Sequence, residues 1–85
     1  MYKCFELKPV DGRKSFGGKC QVETFGGDVY LWSYETRVAR IRGGRFERLW
    51  NGYSDTTKRH VNAFRAFYGM EQIGKKDWEA MPVCR

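Results

Sequence analysis

Short apolar runs with strand-like alternation fill the first half of the chain, and Gly-Gly pairs at 17–18, 26–27 and 43–44 punctuate them. Glycine reaches positive φ without steric cost, so Gly-Gly between apolar runs predicts a β-hairpin. The first hairpin joins residues 19–25 to 28–34 through Gly26-Gly27. A two-residue loop sets Val22 opposite Leu31 and Thr24 opposite Val29 on one face, and Gln21 opposite Trp32 and Glu23 opposite Tyr30 on the other. The first face is the drier, so it is assigned to the core.

The second hairpin joins residues 36–42 to 45–50 through Gly43-Gly44. Its register pairs Ile41 with Phe46 and Ala39 with Arg48 on one face, and Val38 with Leu49 and Arg40 with Glu47 on the other. Neither face is cleanly apolar. A β-bulge near Arg40 would bring Val38 and Ile41 to one side. The link Tyr34-Glu35-Thr36 reads either as a tight turn or as a bend in one long strand.

After Trp50 the period changes. Ser54 or Asp55 can cap a helix with a side-chain oxygen. Thr57, Val61, Phe64 and Tyr68 then recur at spacings of three and four, flanked by His60 and Phe67. Lys58, Arg59 and Arg65 fall outside this stripe and are expected to face water. Gly69 is the expected stop. Residues 75–81 predict a short second helix with Trp78 and Met81 turned inward. Residues 2–7 predict an edge strand and residues 8–18 a loop. The expectation is one α+β domain over 1–85: a small antiparallel sheet of three to five strands, one main helix on one face, and a short C-terminal helix.

Composition adjusts this picture in three ways. At 85 residues the chain is expected to bury only about 60–65% of its unfolded surface. Six Phe, five Tyr and three Trp offset that, because each ring removes a large area from water. Sixteen Lys and Arg against ten Asp and Glu give a net charge of +6, which favours an acidic partner without naming one. The three cysteines, Cys4, Cys20 and Cys84, are odd in number and widely spaced, so they make no disulfide framework. A zinc site would need all three with His60, the one histidine. Structural zinc sites show paired ligands at short spacing, so free thiols and no metal or cofactor are expected. No run approaches the ~20 apolar residues of a membrane span, and the opening residues lack a signal-peptide stretch; the expected location is the cytoplasm.

Two separated motifs, Leu31-Trp-Ser-Tyr-Glu-Thr-Arg-Val-Ala39 and Tyr53-Ser-Asp-Thr-Thr-Lys-Arg-His60-Val-Asn-Ala-Phe64, occur in order. This arrangement resembles a family of small phage, plasmid and bacterial proteins of unknown function. Its pattern is Leu-x-Ser-Tyr-x-Thr-x-Val-Ala followed by Tyr-Ser-x-Thr-Thr-x-x-His-x-x-x-Phe. The resemblance implies a mobile-element setting and brings no catalytic residues. Physically, Ser54 and Thr57 suit a helix start, and Ser33, Tyr34 and Thr36 can bond to backbone where the strand turns. Together with His60 they read as a polar corner fixing helix to sheet.

Ser54 and His60 are six residues apart and point to different sides of the first helical turns, so they do not read as nucleophile and base. No spaced carboxylate pair and no phosphate-binding glycine motif is present. The chain is therefore expected not to be an enzyme. The strongest functional feature is arginine density: Arg37, Arg40, Arg42, Arg45 and Arg48 share one hairpin, with Trp32, Trp50 and Tyr53 nearby. Arg40, Arg42 and Arg45 are expected to form the core of a partner contact, and to tolerate charge reversal without loss of fold. Two readings follow. The first is a non-catalytic mobile-element inhibitor of a host macromolecule, concretely an anti-CRISPR-like inhibitor of a host defence complex, whose partner is a protein or protein–nucleic acid complex. The second is a nucleic-acid-binding accessory protein. The bland alternative is that the charges merely solubilise the sheet through cross-strand pairs.

Overall fold

The computed structural model describes residues 5–10 and 16–84. The first half of the expected edge strand, with Cys4, and the middle of the 8–18 loop lie outside them. The order of elements is β1 (Phe5–Glu6), β2 (Cys20–Phe25), β3 (Asp28–Ser33), β4 (Thr36–Arg42), β5 (Arg45–Arg48), α1 (Asp55–Phe67) and α2 (Lys75–Ala80). The strands form an antiparallel meander, β1-β2-β3-β4-β5, and both helices follow it in sequence. The class is α+β.

The glycine turns set the register. Gly26, Gly27, Gly43 and Gly44 all have positive φ, as two-residue hairpin loops require. Val22 accordingly pairs with Leu31, Thr24 with Val29, Gln21 with Trp32 and Glu23 with Tyr30. In the second hairpin Ile41 pairs with Phe46, Ala39 with Arg48, Arg40 with Glu47 and Arg42 with Arg45. The link between β3 and β4 is a tight turn at Tyr34-Glu35, with Tyr34 at φ 57° although it is not glycine.

The expected bulge forms in β4, two residues before Arg40. Leu31 pairs with Ala39 but Trp32 pairs with Arg37, so Val38 is the extra residue on β4. This places Arg37 opposite Trp32, and Arg40 opposite Tyr30, so both arginines share the face of those rings. It also lets Val38 be buried at 1% exposure while Ala39 and Ile41 remain in the core.

α1 begins where Ser54 Oγ accepts from the Thr57 backbone N–H at 3.0 Å. It packs on the inner face of the sheet through Val61, Ala63 and Phe64, against Cys20, Val22, Leu31, Val38, Ala39 and Ile41. Full burial of a side chain such as Leu31 or Phe64 contributes about 1.5–3 kcal/mol. Two aromatic positions have their burial set by tertiary packing. Phe16, inside the expected loop, is a buried core residue, whereas Phe67 is 60% exposed and lies against Phe5 at 5.2 Å between rings. Arg59 and Arg65 are half-buried rather than fully in water: their guanidinium groups stand over the rings of Phe16 and Phe46.

Candidate binding face of the sheet

The polar corner forms as a connected chain. Ser54 Oγ donates to Thr57 Oγ1 at 3.0 Å, Thr57 Oγ1 lies 3.3 Å from Ser33 Oγ, and Ser33 Oγ lies 2.7 Å from His60 Nδ1. With every hydroxyl donating in that one direction, Nδ1 accepts and each proton has a place. Ser33 and His60 are 3% and 1% exposed. Burial, with the charge of Arg59, pushes the His60 pKa down to about 4. Phe16 meets its ring edge-on at 4.5 Å and Tyr34 lies tilted at 5.9 Å. The histidine is thus neutral, dry and bonded to Ser33 rather than to Ser54. Such a group ties α1 to the end of β3; it is too enclosed to meet a substrate without local opening.

No metal set gathers at this corner. Cys20 Sγ is 4.0 Å from the His60 carbonyl oxygen, and Cys84 bonds through its backbone N–H to the Arg48 carbonyl. Among the described residues no group of three or more His, Cys, Asp or Glu side chains converges as metal ligands.

The opposite, outer face of the sheet carries the arginines. Both helices pack on the inner face, so this face is free of them. Its centre is a lattice built from cross-strand neighbours. Glu23 Oε1 accepts from Trp32 Nε1 at 2.9 Å and from Arg37 Nε and Nη2 at 3.0 and 2.8 Å. Burial alone would raise the Glu23 carboxyl, but the bonds from Trp32 and Arg37 hold it below its ordinary value. The Arg37 guanidinium stacks 4.2 Å from the centre of the Tyr30 ring. Arg40 Nε and Glu47 Oε1 meet at 2.6 Å, and Arg42 Nη2 and Asp28 Oδ2 at 2.7 Å. Arg42 lowers the Asp28 carboxyl through that bond.

By count the outer face of the two hairpins is nearly balanced, with Arg37, Arg40, Arg42 and Arg45 against Glu23, Asp28 and Glu47. By exposure it is not. The Arg37 side chain is 42% exposed over a Glu23 that is 4% exposed, and Arg42 is 54% exposed against 17% for Asp28. In these two pairs the carboxylate sits beneath and the cation faces solvent. Arg45, at the hairpin tip, is also exposed.

The expected contact residues therefore divide. Arg37, Arg42 and Arg45 present charge on the outer face. Arg40 lies there too, but it is only 8% exposed and bridged to Glu47. Reversing its charge would set two carboxylates together and break a largely buried pair, which costs about 3 kcal/mol or more. Charge reversal at all of Arg40, Arg42 and Arg45 is therefore expected to cost stability through Arg40, where the sequence alone led to an expectation of none. Arg48 points to the inner face at 6% exposure. Its Nη1 donates to the carbonyls of Trp78 and Met81 at 3.0 and 3.2 Å, and its Nε to that of Trp50 at 2.8 Å. It closes the free carbonyl end of α2 and is not a surface contact. Trp50 stands at the rim of a groove shared with Arg37 and Arg40. Tyr53 packs instead against the core, donates to Asp55 at 3.2 Å and lies near Lys75.

Sequence reasoning overlooked Tyr30 and Asp28, which order Arg37 and Arg42. The Glu23–Tyr30 pairing was readable from the hairpin register. A bulge near Arg40 was readable as well, but not its place at Val38, which brings Arg37 over Tyr30.

No curated protein and no solved structure matches this chain. A family model described as a family of unknown function (DUF8033) matches residues 5–80, so the chain belongs to that family.

Proposed function

We propose that this domain acts by occupancy rather than by chemistry, binding a host macromolecule through the outer face of its sheet. The observation that carries the reading is the orientation of the ion pairs: Arg37 and Arg42 face solvent, each anchored by a carboxylate below it. Such arginines have already given up much of their rotamer freedom, so they engage a carboxylate with less further ordering. The phage and plasmid setting implied by the sequence resemblance makes an anti-CRISPR-like inhibitor of a host defence complex the concrete case.

A protein surface suits this face better than bare nucleic acid. A polyanion must be neutralised by several free cations, and three carboxylates are interleaved with these arginines. Alternating charge instead matches a mixed protein interface and gives it register. The experiment is capture of partners from a bacterial lysate, with and without nuclease and across a salt series. A specific protein retained after nuclease treatment, with shallow salt dependence, supports the reading. Capture that disappears with nuclease and falls steeply between low and moderate salt supports nucleic-acid binding instead.

A further inference from the structure

Where the outer face meets the chain after β5 there is an open groove of about 430 Å³. Tyr30, Arg37 and Arg40 line it from the sheet, and Trp50, Val83 and Cys84 from the rim. We propose that this groove is a binding site for a carboxylate carried beside an aromatic or aliphatic group, as in an acidic–apolar segment of a partner protein. This rests on the outer-face reading above and names the chemistry of one part of the contact.

The groove joins two unlike surfaces. On one side Arg37 is the exposed member of its ion pair, and its Nε and Nη2 are held by Glu23 while its plane lies on Tyr30. The guanidinium is therefore fixed in position before a ligand arrives. On the other side Trp50 is half-buried and offers ring surface, with Val83 adding apolar area. A small inorganic anion would use the cation and leave the indole in water. A purely apolar ligand would cover the Arg37 N–H groups that Glu23 does not engage without supplying an acceptor, and an unsatisfied buried donor is costly. A ligand with both characters satisfies both walls. The volume falls within the ~300–1,000 Å³ of ordinary ligand sites.

A second groove of about 480 Å³ lies between residues 6–10 and the end of α1, with Phe67 and Val10 in its lining. Among the described residues its lining holds Lys8 but no arginine, so it is the comparison site for a probe that follows charge and apolar surface without an ordered guanidinium.

The test is an NMR titration of the ¹⁵N-labelled protein with N-acetyltryptophan, its neutral amide and inorganic phosphate. The proposal expects shifts at the Trp50 indole and the Arg37 side chain, with N-acetyltryptophan binding at least tenfold more tightly than either the amide or phosphate. R37Q should abolish the preference for acid over amide. W50L, which leaves the ion pairs untouched, should weaken N-acetyltryptophan while keeping that preference. Equal binding of acid and amide overturns the proposal. So does phosphate binding as tightly as N-acetyltryptophan, or shifts centred on Phe67. If R37Q does not fold, the W50L result decides alone: unchanged affinity for N-acetyltryptophan overturns the site. Lysate capture with variants at Arg42 and Arg45 does not use the groove, so the outer-face reading stands or falls separately.

Discussion

Ser33 Oγ and His60 Nδ1 lie 2.7 Å apart with both side chains buried, joining the last residue of β3 to the middle of α1. The bond suits a neutral imidazole, and burial with the charge of Arg59 holds His60 at a pKa of about 4.

This makes stability depend on pH in a defined window. An unfolded histidine titrates near 6.5, so between about 6.5 and 4 the unfolded state binds more protons than the folded one. The stabilisation is complete above 6.5 and declines as pH falls towards 4. Its full loss amounts to roughly 3 kcal/mol. Glu23 and Asp28, whose carboxyls are lowered in the fold, act only below their unfolded values, so the range from pH 6.5 to 5 isolates His60. Urea unfolding at pH 7, 6 and 5 should show falling stability in the parent and a flatter profile in H60Q. A flat parental profile contradicts the assignment.

Phe64 is fully buried, with Tyr68 and Phe46 rings at 5.3 and 6.3 Å. F64A should destabilise the fold by about 3–5 kcal/mol. For a domain of this size that lowers the melting temperature by more than about 10 °C. A shift of one or two degrees would mean that the ring is not in the core.

Arg48 gathers the Trp50, Trp78 and Met81 carbonyls with one planar fork. R48M should cost about 2–4 kcal/mol, since hydrogen bonds to a charged group contribute about 1.5–3 kcal/mol each in gross terms and the carbonyls are left unpaired. R48K should recover less than half of this, because a point ammonium cannot span the same acceptors. Denaturant titration of both variants checks it; a fully rescued R48K would show that charge alone matters there.

Cys20 is fully buried, and burial with the charge of Glu6 pushes its thiol up to about 12. At pH 8 it should resist a thiol reagent in the native protein and react only after denaturation. Cys84 is half-buried at the groove rim and should react before Cys20. Peptide mass mapping after timed labelling distinguishes them. Cys20 labelled as fast as Cys84 would mean that the core around it opens readily.

Much of the fold was readable because local chemistry decides it. Gly26-Gly27 and Gly43-Gly44 fix hairpin register without tertiary help, and Ser54 marks the start of α1 by satisfying a free N–H. What escaped the sequence depends on distant partners. Val38 bulges because the inner face needs its apolar side chain; the strand pattern placed that irregularity near Arg40, and only the pairing with β3 fixes it at Val38. Arg48 looked like its neighbours in the hairpin, yet α2, thirty residues on, buries it. His60 and Phe67 both flank the apolar helical stripe, yet His60 is buried and Phe67 stays exposed. The arginine-rich hairpin was legible as a stretch of sequence, while the division into presented, bridged and buried arginines needed the three-dimensional pairing.

The most direct test of the outer face is lysate capture by a domain carrying R42E and R45E. Both side chains are exposed, and a surface ion pair such as Arg42–Asp28 is worth only about 0–1 kcal/mol, so the variant should melt within a few degrees of the parent. The account predicts that the nuclease-resistant protein captured by the parent is lost or at least tenfold reduced with the variant. A folded variant that retains the same protein at the same yield would contradict it.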